Sequence, residues 1–321
     1  MMFRSSFSQS ALRSHLSQPA VPYILSIAGF VVLQLFWSWQ PKPAVVSGAS
    51  APHSGSGEPF QTVRSFSMPN SIDFCGETVP LDNFDNRERL ERELLENAYK
   101  HGTTLQTYKL SSRLFPLIEP ILAQNGVPMD MKYLAIAESN LRETAASPAG
   151  AKGVWQFMPA TAAQYGLLVN SEVDERLNTE RATEAACRYL KTAYERFGNW
   201  TMAAASYNMG VAGLSNNATQ QRGTAFYDLF LSDETNRYIF RIIAFKELLT
   251  KPREYGFFIT DPYAPIDCSL VEVEGSVPNW GEWAQRYGMS YRMLRVLNPW
   301  IKAENLTNAN HHRYIVKVWK R

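Results

Sequence analysis

Charge is scarce at the start of this chain of 321 residues: histidines aside, Arg4, Arg13 and Lys42 are the only charged side chains before Glu58. Nothing ionic lies between Arg13 and Lys42, and the 19 residues from Val21 to Trp39 are almost wholly apolar. That is close to the ~20 residues a helix needs to span a bilayer. Two arginines precede the run, and Trp37 and Trp39 sit at its far end. It therefore reads as an anchor, residues 21–39, with residues 1–20 cytoplasmic and the remainder exported. A cleavable signal peptide is the rival reading. The small-residue stretch Ser47–Ala51 lies well past the apolar run, so an uncleaved anchor fits better. The expected location is the periplasm or cell envelope, with the body outside the cytoplasm and anchored in the inner membrane.

Other absences narrow the class. Cys75, Cys187 and Cys268 are too few for a disulfide framework, although one pair could bridge in an oxidising compartment. The net charge is +2, and the three N-terminal basic residues carry +3, so the rest stands near −1. That excludes the basic field nucleic-acid binding needs. His15, His53, His101, His311 and His312 make no metal-ligand pattern; His311 and His312 are adjacent and would face opposite sides of a strand. There is no phosphate loop and no Gly-x-Ser-x-Gly elbow, and no cofactor is expected.

What remains is a folded protein, 45% hydrophobic and 19% charged. Residues 40–84 begin with a Pro-, Ser- and Gly-rich tract and read as a flexible linker. Helical periodicity then runs through Asp85–Tyr99 and Leu105–Gln124, with Pro116 and Pro120 expected to bend or restart the second helix. Asn125-Gly126-Val127-Pro128 is a stop, after which Asp130 can cap a new helix. Further helices are expected at Pro159–Tyr165, Thr179–Phe197, Asn199–Tyr207 and Glu234–Leu249. Residues 85–250 thus form one all-α domain. A proline-rich connector, 251–267, leads to a module at 268–321: strand Ser269–Val273, helices Trp280–Tyr287 and Tyr291–Leu297, strand Tyr314–Trp319. The fold class is mainly α with a small C-terminal βααβ module.

One residue stands out. Glu138 shares a helix face with Leu134 and Leu141, where an acid costs free energy unless paired or protonated. It is either an ion pair, with Arg142 one turn on, or a general acid with a raised pKa. Most glycosidases set a second carboxylate beside such an acid. The nearest, Glu143, lies in a polar stretch, which favours chemistry with a single acid.

The surrounding motifs carry a resemblance. Glu138-Ser139-Asn140-Leu141, Ser147-Pro148-Ala149-Gly150-Ala151, Gly153-Val154-Trp155-Gln156-Phe157-Met158-Pro159-Ala160-Thr161-Ala162 and Ser206-Tyr207-Asn208-Met209-Gly210 resemble, in order and spacing, the motifs of family 1 lytic transglycosylases, with the membrane-bound type D group the most similar. Asp233–Tyr238 looks like the family's Glu-Thr-Arg-x-Tyr helix start. The likeness covers roughly residues 105–250. Val154 replaces the usual Leu and Ser206 the usual Ala, both close in size. The resemblance implies a lysozyme-like α fold acting on peptidoglycan glycan strands, with Glu138 as sole acid/base and the substrate's own hydroxyl as nucleophile. It further implies that Ser147 and Tyr207 position substrate and orient Glu138, that Gln156 and Met158 line the cleft, that Asn208 holds its loop, and that Glu234 is a polar contact nearby.

The C-terminal module resembles a diverged LysM unit through Trp280–Pro299, although Gly275-Ser-Val-Pro stands where Gly-Asp-Thr-Leu is usual. It either binds glycan or braces the catalytic domain. Two rivals to the transglycosylase reading are a muramidase that uses water and a non-catalytic wall-binding scaffold.

Overall fold

The structure, a computed structural model, describes residues 65–320. The expected N-terminal segment and anchor lie outside these residues; among the described ones, no helix is long and apolar enough to cross a membrane.

The first described element corrects the expectation that residues up to 84 form a linker. Ile72, Phe74, Val79 and Leu81 are buried. They alternate about a short hairpin of β1 (Asp73–Phe74) and β2 (Glu77–Thr78). Its Cys75-Gly76 turn has both residues at positive φ, 57° and 79°, as a tight hairpin turn demands. The strand signal there is only two residues deep on each side, so a composition-based reading passes over it.

Eight helices follow: α1 (Phe84–Tyr99), α2 (His101–Gln124), α3 (Lys132–Ser139), α4 (Pro159–Gln164), α5 (Thr179–Phe197), α6 (Trp200–Met209), α7 (Val211–Gln221) and α8 (Asp233–Thr250). Caps explain most of their starts. Asn83, Asn178, Asn199 and Ser232 each accept a hydrogen bond from the first-turn backbone. α6 has a second device: the Glu77 carboxylate accepts from Trp200 N at 2.5 Å and Thr201 N at 2.9 Å, placing a negative charge at the positive helix end. α5 packs against α6, and the two helices bury alanines freely: Ala182, Ala185, Ala186 and Ala193 on α5, Ala203, Ala204 and Ala205 on α6. Such small side chains let the two axes approach closely.

Two expectations need correction here. α2 does not restart at Pro116 or Pro120 but runs on through both. Each proline removes one backbone hydrogen bond, but Leu114, Ile118 and Leu122 on the buried face hold the helix together. Asp130 does not cap α3: it lies inside a 3₁₀ turn, Met129–Met131, and its Oδ2 instead accepts from Cys75 N at 2.8 Å and pairs with Lys246 at 2.7 Å.

The C-terminal module is as the alternation and periodicity foretold: β3 (Cys268–Val273), α9 (Trp280–Arg286), α10 (Tyr291–Leu297) and β4 (Tyr314–Trp319), the strands antiparallel with Cys268 opposite Trp319. Buried Asn298 ties α10 to β4, donating to Lys317 O and accepting from Lys317 N, both at 2.8 Å. His311 and His312 precede β4 and do not flank it; His312 rests edge-on against Tyr314. The connector packs on α2, with Lys109 paired to Asp261 at 2.8 Å and Tyr255 and Phe257 buried. All three thiols are free.

Candidate active site

Glu138 sits in the last turn of α3, where the helix's negative end disfavours a carboxylate. Asn140 and Leu141 beyond it are left-handed, φ 51° and 60°. Asparagine tolerates that region; a buried leucine does so only where the surroundings dictate it. Here they do: Ser139 Oγ reaches the carbonyl of Val154 at 2.9 Å, and Leu141 is wholly buried, so the chain must turn in place.

The carboxyl of Glu138 is pushed up from 4.5 to about 7. Loss of water around it is the largest cause, partly offset by a hydrogen bond from Tyr238 and by the charge of Arg241, while Glu234 adds to the rise. Tyr238 Oη donates to Glu138 Oε1. Its phenol is driven well above its ordinary range by burial and by the Glu138 charge, so it stays a donor. Arg142 does not pair with Glu138; its guanidinium turns back to the Ser139 carbonyl at 3.2 Å. Of the two readings of Glu138, the local ion pair is therefore gone.

α6 supplies the next residues. Tyr207 Oη donates to the carbonyl of Trp155 at 2.9 Å, and its ring meets Tyr189 and Phe157 edge-on. Burial and the neighbouring Glu138 push its phenol up as well. Asn208 Oδ1 accepts from Thr235 Oγ1 at 2.8 Å, joining the end of α6 to the start of α8. Gln156 has φ 48°, and its amide donates to the carbonyls of Gly153 and Ala145 at 2.8 and 3.2 Å. Gln156, Met158, Tyr207 and Asn208 line one cavity of about 600 Å³ together with Tyr165 and Tyr189. Met158 is exposed there.

Ser147 and Glu234 stand apart from that cavity. Ser147 closes its own turn: Oγ accepts from Ala151 N at 3.0 Å and its N–H donates to Ala151 O at 2.9 Å. Glu234 is exposed and pairs with Arg241 at 3.2 Å, two turns along α8; Arg241 in turn reaches buried Glu93 at 3.4 Å. Since Tyr238 lies between them on the same helix, this pair flanks the donor to Glu138. Glu143 accepts from Thr179 Oγ1 at 2.8 Å and faces a different cavity, at the junction with the C-terminal module.

The segment Asp233–Tyr238 is legible as a motif, but the sequence assigns no role to Thr235 or Tyr238 within it, nor to Arg176. Tyr238 closes the Glu-Thr-Asn-Arg-Tyr segment four residues after Glu234, and that spacing was its available signal. Arg176 is 4% exposed and forms two 2.8 Å bonds to the Asp174 carboxylate, which its charge holds below the usual range despite burial. Nothing in the local sequence announces it.

A carboxyl pushed up to about 7, with a phenol fixing one of its oxygens, can both give and take a proton near neutral pH; Glu138 does not itself line the aromatic cavity, but its neighbour Tyr207 does. The family matches give the class. Residues 116–230 match the family described as Transglycosylase SLT domain, and residues 269–320 match the Soluble lytic transglycosylase C-terminal LysM-like domain. The chain thus carries a transglycosylase SLT domain followed by a LysM-like domain. In particular, it is similar to membrane-bound lytic murein transglycosylase D of Escherichia coli strain K12, 28% identical over 255 residues that cover 76% of this chain and 54% of that one. The chain spans about half the length of the curated relatives it matches. Among solved structures, the 70 kDa soluble lytic transglycosylase of Escherichia coli is similar over 59% of this chain and 32% of its own, with 21% identity and a TM-score of 0.38. An inactive mutant of lytic transglycosylase Slt from Pseudomonas aeruginosa is similar over 47% and 26%, with 20% identity and a TM-score of 0.36.

Proposed function

We propose that this chain cleaves the β-1,4 bond between N-acetylmuramic acid and N-acetylglucosamine in peptidoglycan without consuming water, with Glu138 as the single acid and base. The observation that carries the reading is the Glu138 carboxyl, held by Tyr238 and pushed up to about 7 by loss of water, so that near neutrality it can both give and take a proton. Tyr238 engages Oε1, so Oε2 carries the proton toward the substrate. That proton passes to the glycosidic oxygen as the bond to the muramic C1 breaks. The C6 hydroxyl of the same muramic residue then attacks C1 and returns its proton to Glu138. One C–O bond breaks and another forms, the proton of O6 replaces the one spent on the leaving sugar, and a 1,6-anhydro end results. Gln156, Met158, Tyr207 and Asn208 hold the glycan beside Glu138, Ser147 shapes the loop, and Glu234 acts through Arg241. The apolar run at 21–39 supports placing this activity outside the cytoplasm on an inner-membrane anchor.

Mass spectrometry of digested peptidoglycan tests the proposal. Wild type should release muropeptides with anhydro ends. Glu138→Gln should lose on the order of 10³-fold or more in rate, since its amide can neither give nor take the proton. Reducing ends from wild type would establish a muramidase instead. Binding without any cleavage would establish a scaffold.

A further inference from the structure

The segment Glu172–Arg176, just before α5, has two faces. One is built into the C-terminal module. Val173 is among that module's buried apolar residues and forms an antiparallel bridge with Ile301. Asp174 N donates to the carbonyl of Trp300 at 2.8 Å, and the carbonyl of Glu172 accepts from Lys302 N at 2.8 Å. The Glu172 carboxylate accepts from Thr307 N at 2.9 Å and from Thr307 Oγ1 at 2.5 Å.

The other face is built into the loop that carries Gln156. Arg176 Nη1 donates to the carbonyls of Gly150 at 2.8 Å and Phe157 at 3.1 Å, near the two ends of that loop. The carbonyl of Arg176 lies so close to Gly153 that a Cβ there would meet it at 1.9 Å. A guanidinium that spends one edge on Asp174 and another nitrogen on two carbonyls has no freedom left to swing.

We infer that Asp174 and Arg176 are positioning residues for the loop from Ser147 to Phe157, and that the C-terminal module holds them in place as part of the active-site scaffold. The inference rests on the proposed part of that loop in the reaction. Glycan binding by the module requires none of these contacts, and an appendage on a hinge would complete its own core. This one takes Val173 from the helical domain to complete it.

Two variants of the full chain test the link. Glu172→Ala with Val173→Ala loosens the docking and touches neither the loop nor Glu138; Arg176→Lys keeps the charge and loses the fork. Hydrogen exchange of peptides spanning 145–158 is read beside kcat and KM on peptidoglycan. Both variants should raise exchange in that loop by roughly tenfold or more, while peptides of α1 and α5 exchange as in wild type. Both should lower kcat by about tenfold to a hundredfold with KM little changed, as a misplaced positioning group does. If the docking variant loosens only the module, leaving loop exchange and kcat at wild-type values, the inference is overturned. Raised loop exchange with unchanged kcat would instead remove the loop from the reaction, overturning the proposed site and sparing the mechanical link.

Discussion

Glu138 is neutral in the folded protein at a pH where the unfolded chain has already ionised it, and folding bears that difference. Below about pH 4.5 both states are protonated and there is no penalty. Between 4.5 and about 7 the unfolded state sheds its proton and the folded state keeps it, so stability falls as pH rises; above about 7 the loss is complete. The shift corresponds to about 3 kcal/mol at most. Glu138→Gln, which cannot ionise, should therefore be more stable than wild type by about 2–3 kcal/mol near pH 8 and equal to it near pH 4. Urea denaturation at the two pH values checks this, and a difference independent of pH would mean that the carboxyl is not desolvated as described. The sequence showed Glu138 as a misfit on an apolar stripe, which was visible from spacing alone. It did not show which group would hold it. Arg142 is four residues on in sequence and Tyr238 one hundred residues away, and only the packing of α3 against α8 brings the second within reach.

At the scale of elements, helices with a continuous buried stripe were legible, α5 and α8 to within a residue, although α2 begins at His101, four residues before the expected Leu105. α7 was not, because Val-Ala-Gly-Leu-Ser-Asn-Asn-Ala-Thr-Gln-Gln buries a single residue, Leu214, and has no stripe to read. The hairpin of β1 and β2 escaped for a related reason: strands of two residues offer too little alternation. The loop from Ser147 to Phe157 was legible as a motif, but the strut beneath it was not, since Arg176 acts through backbone carbonyls that any sequence would supply. Gly153 is where that strut bears on the loop. It has φ 83° as well as the Arg176 carbonyl against its Cα. Gly153→Ala should lower stability by about 2–4 kcal/mol and displace Gln156, with kcat falling by at least tenfold at a temperature where the variant is still folded. Thermal melts paired with rate measurements well below the midpoint would test it; wild-type kcat in a folded Gly153→Ala would show that the loop tolerates the shift.

For the whole described molecule, the shared burial of Val173 and the bonds around Trp300 and Thr307 bind module and helical domain into one unit. Small modules of this size are marginal alone, because too little of their surface is buried. The full chain should accordingly unfold in one transition. Tryptophan fluorescence, to which Trp280 and Trp300 of the module contribute alongside Trp155 and Trp200 of the domain, should follow the same curve as far-ultraviolet circular dichroism, which is dominated by the helices. Curves that separate along the urea axis would mean that the module melts independently.

Asn140, Leu141 and Gln156 all hold left-handed backbone around the proposed acid, a conformation that glycine would adopt at no steric cost. Their strain has a consequence for how variants of this protein would be sorted. A library selected for heat resistance alone would drift toward glycine at 140 and 156. One selected for lysis would retain the amide of Gln156 and accept the lower melting point. The two selections would part company at a few adjacent positions, and the map of where they diverge would trace the active site without any substrate being bound.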